Sequence, residues 1–347
     1  MLHPAPSSPA PQVAAAVRSL SRDASLDGVR GVAIAMVVAI HTFGYVKLPD
    51  GPIADLLALL VRTVAVPMFF LVDGFLFARA QRTGRAFDAG LYVRRSARRL
   101  LLPWLVFSLL YLVLRWVYEL VAPTDVQLLT GRGPAAWIET LLLGRASEQL
   151  YFLPSLFAIR LLAAPIRALA FRGAVARWLA FVAAACGAGF LMGAYRSLLP
   201  LPGYDPILHA LWGLPFYLLG VAATDLWRRG PVPAIAAAAA LVAARLGWPK
   251  VAWATEYAYL AALFLLFASF DITPAWLAAV GRRTMAIYLL HAPIVLRAVS
   301  LACERVVHDD PFLRFGLVWA GSFAISLLLA LLLERSALGR LVLGEQR

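Results

Sequence analysis

Charge is scarce in this 347-residue chain: Asp, Glu, Lys and Arg together make up 15%, against about 25% in soluble domains. With 62% hydrophobic residues, too little polar surface remains to clothe an ordinary soluble enzyme. Cysteine is almost missing. Cys186 and Cys303 fall in or beside apolar runs far apart, which excludes a disulfide framework or thiolate metal cluster and leaves two small hydrophobes. Internal repeats, coiled-coil heptads and a separate polar domain are also lacking. The net charge of +13 has no solvated basic domain to go with it, so nucleic-acid binding is excluded. Positive loops on the inner side of a membrane account for it.

What is there is a succession of apolar runs, ended by Pro, Gly or clustered charge. Ten are long enough to span, at roughly 28–46, 53–78, 99–121, 148–165, 178–194, 206–226, 232–247, 253–270, 284–303 and 314–333. The expected fold is therefore all-α: a polytopic membrane protein of about ten transmembrane helices enclosing a polar cavity. Residues 1–24, rich in Pro, Ser and Ala, read as a disordered cytosolic tail. Residues 25–335 read as one membrane domain, and 336–347 as a second cytosolic tail. Of the 32 Lys and Arg residues, this alternation puts 20 in inner segments, eight in outer loops and four within spans. That bias sets both termini in the cytosol, and dropping one span would spoil it.

The first span, "SLDGVRGVAIAMVVAIHTFGYV", carries Arg30 near its inner end and His41 in its outer half, about 16 Å apart at 1.5 Å per residue. A charge at a helix centre costs about 2.5–3.5 kcal/mol on insertion scales. Arg30 either snorkels to the inner edge or faces a polar interior. His41 is either a satisfied packing group or a proton acceptor, the task to which imidazole is best suited near neutral pH.

Five segments carry a family resemblance. "LDGVRG" followed by His41 resembles the first helix of the acyltransferase 3 family of integral membrane acyltransferases. "VPMFFLVDGFLFARA" resembles that family's FF-x-x-SG-[FY]-L segment, "YVRRSARRLLLPW" its R-x-x-R stretch at Arg95 and Arg98, and "SEQLYFLPSLF" its E-Q-x-[YW]-F-L segment. "GRRTMAIYLLHAPIV", ending past His291, resembles its G-x-x-[ST]-x-x-IYL-x-H signature. Each is loose alone, but together, in order over about residues 25–333, they are specific. One departure stands out: Asp73 occupies the position of the small hydroxyl residue.

The resemblance implies transfer of an acyl group, usually acetyl, from cytosolic acyl-coenzyme A to a hydroxyl of a surface or exported glycan; the high Ala and Arg content points to a bacterial inner membrane. The resemblance also implies a catalytic set of His41, Arg30 and Glu148, with His41 as general base or as covalent acyl carrier. It implies a coenzyme-binding set of Arg95, Arg98 and His291, to which Asp73, the departure from the pattern, is added for its depth near the inner side. No permanently bound cofactor and no metal are expected; acyl-coenzyme A is a substrate, and the partners are the acceptor, free or lipid-linked, and the bilayer. From depth alone, Asp73 is expected either to pair with Arg30 or to line an inner vestibule without touching it. Arg95 and Arg98 hold phosphates or only set topology; Arg94 and Arg99 are read as topogenic. Glu148 orients the histidine, holds a sugar hydroxyl or sits at the interface. His291, about two turns in from the cytosol, either binds pantetheine or caps a helix contact. Arg115 and Glu119, four apart, are expected to neutralise each other. A secondary transporter or flippase of lipid-linked sugars would use similar intramembrane charges, but no paired broken helices of an internal repeat are seen. An acceptor outside the glycans, and succinyl in place of acetyl, stay open.

Overall fold

The computed structural model describes residues 23–83, 86–121, 128–143, 145, 147–199, 205–227, 231, 232, 234–236, 238, 239, 252–270 and 273–343. Every regular element among them is a helix. In chain order these are α1 (Ala24–Thr42), α2 (Pro52–Gln81), α3 (Ala89–Val121), α4 (Gly133–Leu142), α5 (Phe152–Leu161), α6 (Ala163–Ala170), α7 (Ala174–Leu198), α8 (Pro206–Ala222), α9 (Ala252–Phe270), α10 (Ala275–Gly281), α11 (Thr284–Leu290), α12 (Leu296–Glu304), α13 (Pro311–Leu333) and α14 (Ala337–Val342). Short 3₁₀ turns precede α5 and follow α8.

Side chains start several of these helices where the sequence changes from polar to apolar. Asp23 accepts from the Ser25 N–H at 3.2 Å, and Asp205 from that of Ile207 at 2.8 Å. Asp310 accepts from Phe312 and Leu313, both at 2.9 Å. Each satisfies donors that a helix start leaves orphaned. Pro52, Pro206 and Pro311 sit in the first turns, where a missing N–H costs nothing.

Seven helical stretches are long and apolar enough to cross a membrane. An eighth candidate is the stretch from Gln149 through α6, bent by 63° after Leu161, and α9 is a shorter apolar helix. The described residues therefore give seven or eight spans rather than the expected ten, and the expected 232–247 span falls largely outside them. Pro154 leaves α5 unbroken at its own position; the bend comes later, at Leu162.

α1, α2 and α8 form the buried centre, with α9, α10 and α11 against α1. Where lipid surrounds a bundle, apolar burial hardly drives helices together, and close backbone approach takes over. Gly220 of α8 lies against the Leu71 carbonyl of α2, and Gly74 of α2 against the Tyr217 carbonyl of α8, so that a Cβ at either position would overlap backbone. The glycine after Asp73 in "VDGF" is thus a packing residue. Gly281 meets the Asp27 carbonyl in the same way, which sets the register of α10–α11 on α1. At the opposite extreme, α7 is a rim helix: Phe190 and Leu179 are 78% and 63% exposed.

The starts of α1, α3 and α11 and the ends of α2, α5 and α13 gather on one face, around a single cavity. On that face Asp23 takes Arg79 at 3.1 Å and the Trp227 indole N–H at 3.3 Å. Asp225 takes both Arg82, at 2.7 Å, and Arg177.

Candidate active site

The cavity on the arginine-rich face has a volume of about 680 Å³. Seven arginines line it (Arg30, Arg95, Arg99, Arg160, Arg282, Arg283 and Arg340) against two carboxylates, Asp73 and Glu334. Each carboxylate is matched to one of the seven. Arg160 grips Asp73 with two parallel hydrogen bonds, one of them Nε to Oδ2 at 2.9 Å, and reaches the Ser96 hydroxyl at 3.3 Å. Arg283 Nε donates to Glu334 at 2.9 Å. The forked Arg160–Asp73 geometry is the strong form of an ion pair, and both partners are largely shielded, at 12% and 15% exposure. The wall still carries an excess of positive charge.

This arrangement revises several expectations. Asp73 pairs with Arg160, while Arg30 lies 3.6 Å from Asp27, one turn back on its own helix. The expected Arg30–Asp73 pair is therefore not the one formed, although both residues line the cavity. Depth along the helices was legible, but the direction in which each side chain projects was not, and it turned Asp73 toward α5. On α3 the cavity takes Arg95 and Arg99 but not Arg98, although all three are exposed. Residues four apart lie on one helical face as readily as residues three apart. Arg30 stands at the opposite end of α1 from His41, with the cavity's arginines.

His41, in the last turn of α1, has its ring centroid 5.1 Å from that of His291. The sequence reading put His291 nearer the inner edge, because α11 was counted from Thr284. The Gly281–Asp27 contact moves that count about one turn deeper, which accounts for part of the difference, and His291 ends beside His41 at the point where the helix breaks. α11 breaks there: Ala292 is extended (φ −130°, ψ 152°) ahead of Pro293. A broken helix in a bundle core must find partners for its freed carbonyls, and it finds them in neighbouring side chains. The Tyr111 hydroxyl donates to the Leu289 carbonyl and the Gln149 amide to that of Ala292, while the Tyr288 hydroxyl, on the broken helix itself, donates back to the Gln149 carbonyl. The "EQ" of "SEQLY" thus has a structural task at Gln149; the side chain of Glu148 lies outside the described residues. Tyr288 links the two places. It lines the cavity, its ring is 6.2 Å from His291, and Phe152 meets it edge-on at 5.8 Å. Neither histidine lines the cavity, so Tyr288 and Phe152 form the partition.

A family model described as an acyltransferase domain, that of acyltransferase 3, matches residues 23–335. The chain belongs to this family. It is a multi-pass membrane acyltransferase, and its five resemblance segments all fall inside the match. Comparison with curated proteins and with solved structures gives no match. In this acyltransferase the segment resembling R-x-x-R lines one wall of the arginine cavity, and the segments around His41, Gln149 and His291 meet at the broken helix.

Away from the cavity, Arg115 and Glu119 do neutralise each other at 2.7 Å, and Glu119 also accepts from the N–H groups of Leu128, Leu129 and Thr130. The pair staples a loop. His209 stacks on Tyr151 at 4.1 Å, with Trp212 at 6.5 Å. Residues that sequence reasoning missed are Arg160, Arg282, Arg283 and Arg340, all read as topogenic loop charges, and Tyr288. The available signal was Asp73, a carboxylate within a span, which calls for a cation partner.

Proposed function

We propose that this protein is an O-acyltransferase that moves an acyl group, acetyl in the first instance, from acyl-coenzyme A to a hydroxyl of a surface or exported glycan. The observation that carries the reading is the division along α1: an arginine-lined cavity at one end and an imidazole pair about 16 Å on. Guanidinium groups match phosphate oxygens, so the cavity suits the nucleotide phosphates, with Arg95, Arg99, Arg282 and Arg340 as the ligands of choice. An extended pantetheine arm then points the thioester past Tyr288 and Phe152, which must swing aside. The arginine face is the cytosolic face by the loop-charge bias; the membrane is the bacterial inner membrane and both termini are cytosolic.

His41 acts as general base. It takes the proton of the acceptor hydroxyl as that oxygen attacks the thioester carbonyl. The tetrahedral intermediate collapses with cleavage of the C–S bond, and the imidazolium returns its proton to the departing thiolate. The acceptor leaves as an ester, so atoms and charge balance.

Radiolabelled acetyl-coenzyme A given to the purified protein with acceptor glycan tests this. Label is expected in the glycan together with free coenzyme A. Movement of a lipid-linked sugar across the bilayer with no thioester cleavage would contradict it and favour transport.

A further inference from the structure

The break after α11 does more than bring His291 to His41. His291 Nδ1 lies 2.8 Å from the Tyr288 carbonyl and 3.2 Å from that of Ile287. Both are pure acceptors, so Nδ1 is the nitrogen that carries the hydrogen. In the neutral ring Nε2 is then a bare lone pair. That atom is wholly buried, on a residue with 0% exposure, and has no hydrogen-bond partner. A native protein rarely leaves such an acceptor unsatisfied without a use for it. The ring beside it is His41, at 5.1 Å between centroids and tilted by 51°. The fold holds the acceptor rigidly: Tyr111, Gln149 and His291 itself take up the carbonyls on both sides of the break.

We propose that His291 is a positioning residue for His41: a turn of the His41 ring, which makes no hydrogen bond to His291 in the structure but lies 5.1 Å away between centroids, brings its N–H onto the Nε2 lone pair and so decides which nitrogen of His41 is free to act as base. His41 then keeps one hydrogen directed at His291 and presents its other nitrogen to the acceptor hydroxyl. When the hydroxyl O–H bond breaks, its proton goes to that second nitrogen, while the hydrogen facing His291 stays in place and the lone pair opposite it stabilises the imidazolium. No bond to His291 forms or breaks. This rests on the reading of His41 as the base, but the tautomer it predicts exists without substrate.

The test is ¹⁵N NMR of histidine-labelled full-length protein in nanodiscs, beside steady-state kinetics. In the unaltered protein His41 is expected as one tautomer, with a ¹⁵N–¹⁵N coupling across the hydrogen bond to His291. His291→Asn keeps an amide donor for the Tyr288 carbonyl but has no acceptor where Nε2 was. It is expected to show mixed His41 tautomers and a kcat lowered about 100-fold, with KM for acyl-coenzyme A within about twofold. His291→Gln, whose carbonyl oxygen can reach the Nε2 position, is expected to recover about tenfold of that loss. Absence of the coupling in the unaltered protein, or one unchanged His41 tautomer in the Asn variant, overturns the proposal. If the protein proves to be no acyl-coenzyme A transferase, kinetics fall silent but the NMR result still decides.

Discussion

The arginine cavity and the histidine pocket are built on the same helices, α1 and α11, and differ in almost everything else. At the cavity, charge is abundant and over-supplied: seven arginines face two carboxylates, and several of the cations are exposed. At the pocket no lysine, arginine or carboxylate contact is seen among the described residues. Two imidazoles meet at a helix break whose carbonyls are taken one by one by Tyr111, Gln149 and His291. The contrast matches what each place can do. An accessible, redundant cationic wall can hold a flexible polyanion at little cost for any one contact. A pocket with fixed donors and acceptors can aim one proton transfer, and it tolerates little change.

Substitutions can break or sharpen this contrast. The largest effect is expected at His41: His41→Ala lowers kcat by about 10²–10⁴-fold with the protein still folded by circular dichroism, and a variant with unaltered turnover would erase the distinction. Asp73→Ala comes next. It strips Arg160 of a shielded partner, and lone charges of this kind cost about 3–5 kcal/mol when fully buried. A loss nearer 2 kcal/mol, read by denaturation in detergent, is expected because water reaches the cavity. Within the cationic wall, Arg95→Ala and Arg99→Ala each raise KM for acyl-coenzyme A about fivefold, or about 1 kcal/mol, with kcat unchanged and the effect shrinking as salt rises. The smallest change belongs to Arg98→Ala, one turn away but outside the cavity: KM moves less than about twofold. A larger effect at Arg98 than at Arg99 would reverse the assignment of the α3 face.

Much of this architecture was legible in the sequence, because membrane helices announce themselves by length and by the alternation of loop charge. That reasoning put Arg30 and Asp73 at one depth and Arg95 on the same side of the chain's fold, and all three line the cavity. It fell short where azimuth matters. Asp73 turns toward Arg160 rather than Arg30, and Arg99 rather than Arg98 shares the face of Arg95, because depth along a helix says nothing of its rotation. The neighbouring of His41 and His291 was hidden for another reason: the register of α11 on α1 is set by backbone contact at Gly281, and a glycine carries no pattern that names its partner. The arginines at 160, 282, 283 and 340 were masked by the very rule that oriented the chain, since a topogenic cation and a phosphate ligand look alike in a loop.

The claim that the two ends of α1 do separate jobs meets its most direct test in proteoliposomes holding the protein in one orientation. With acyl-coenzyme A supplied only on the arginine face and acceptor glycan only on the opposite face, the acyl label is expected to appear on the glycan. No transfer across the bilayer in that arrangement, with transfer only when both substrates share a face, would contradict the account.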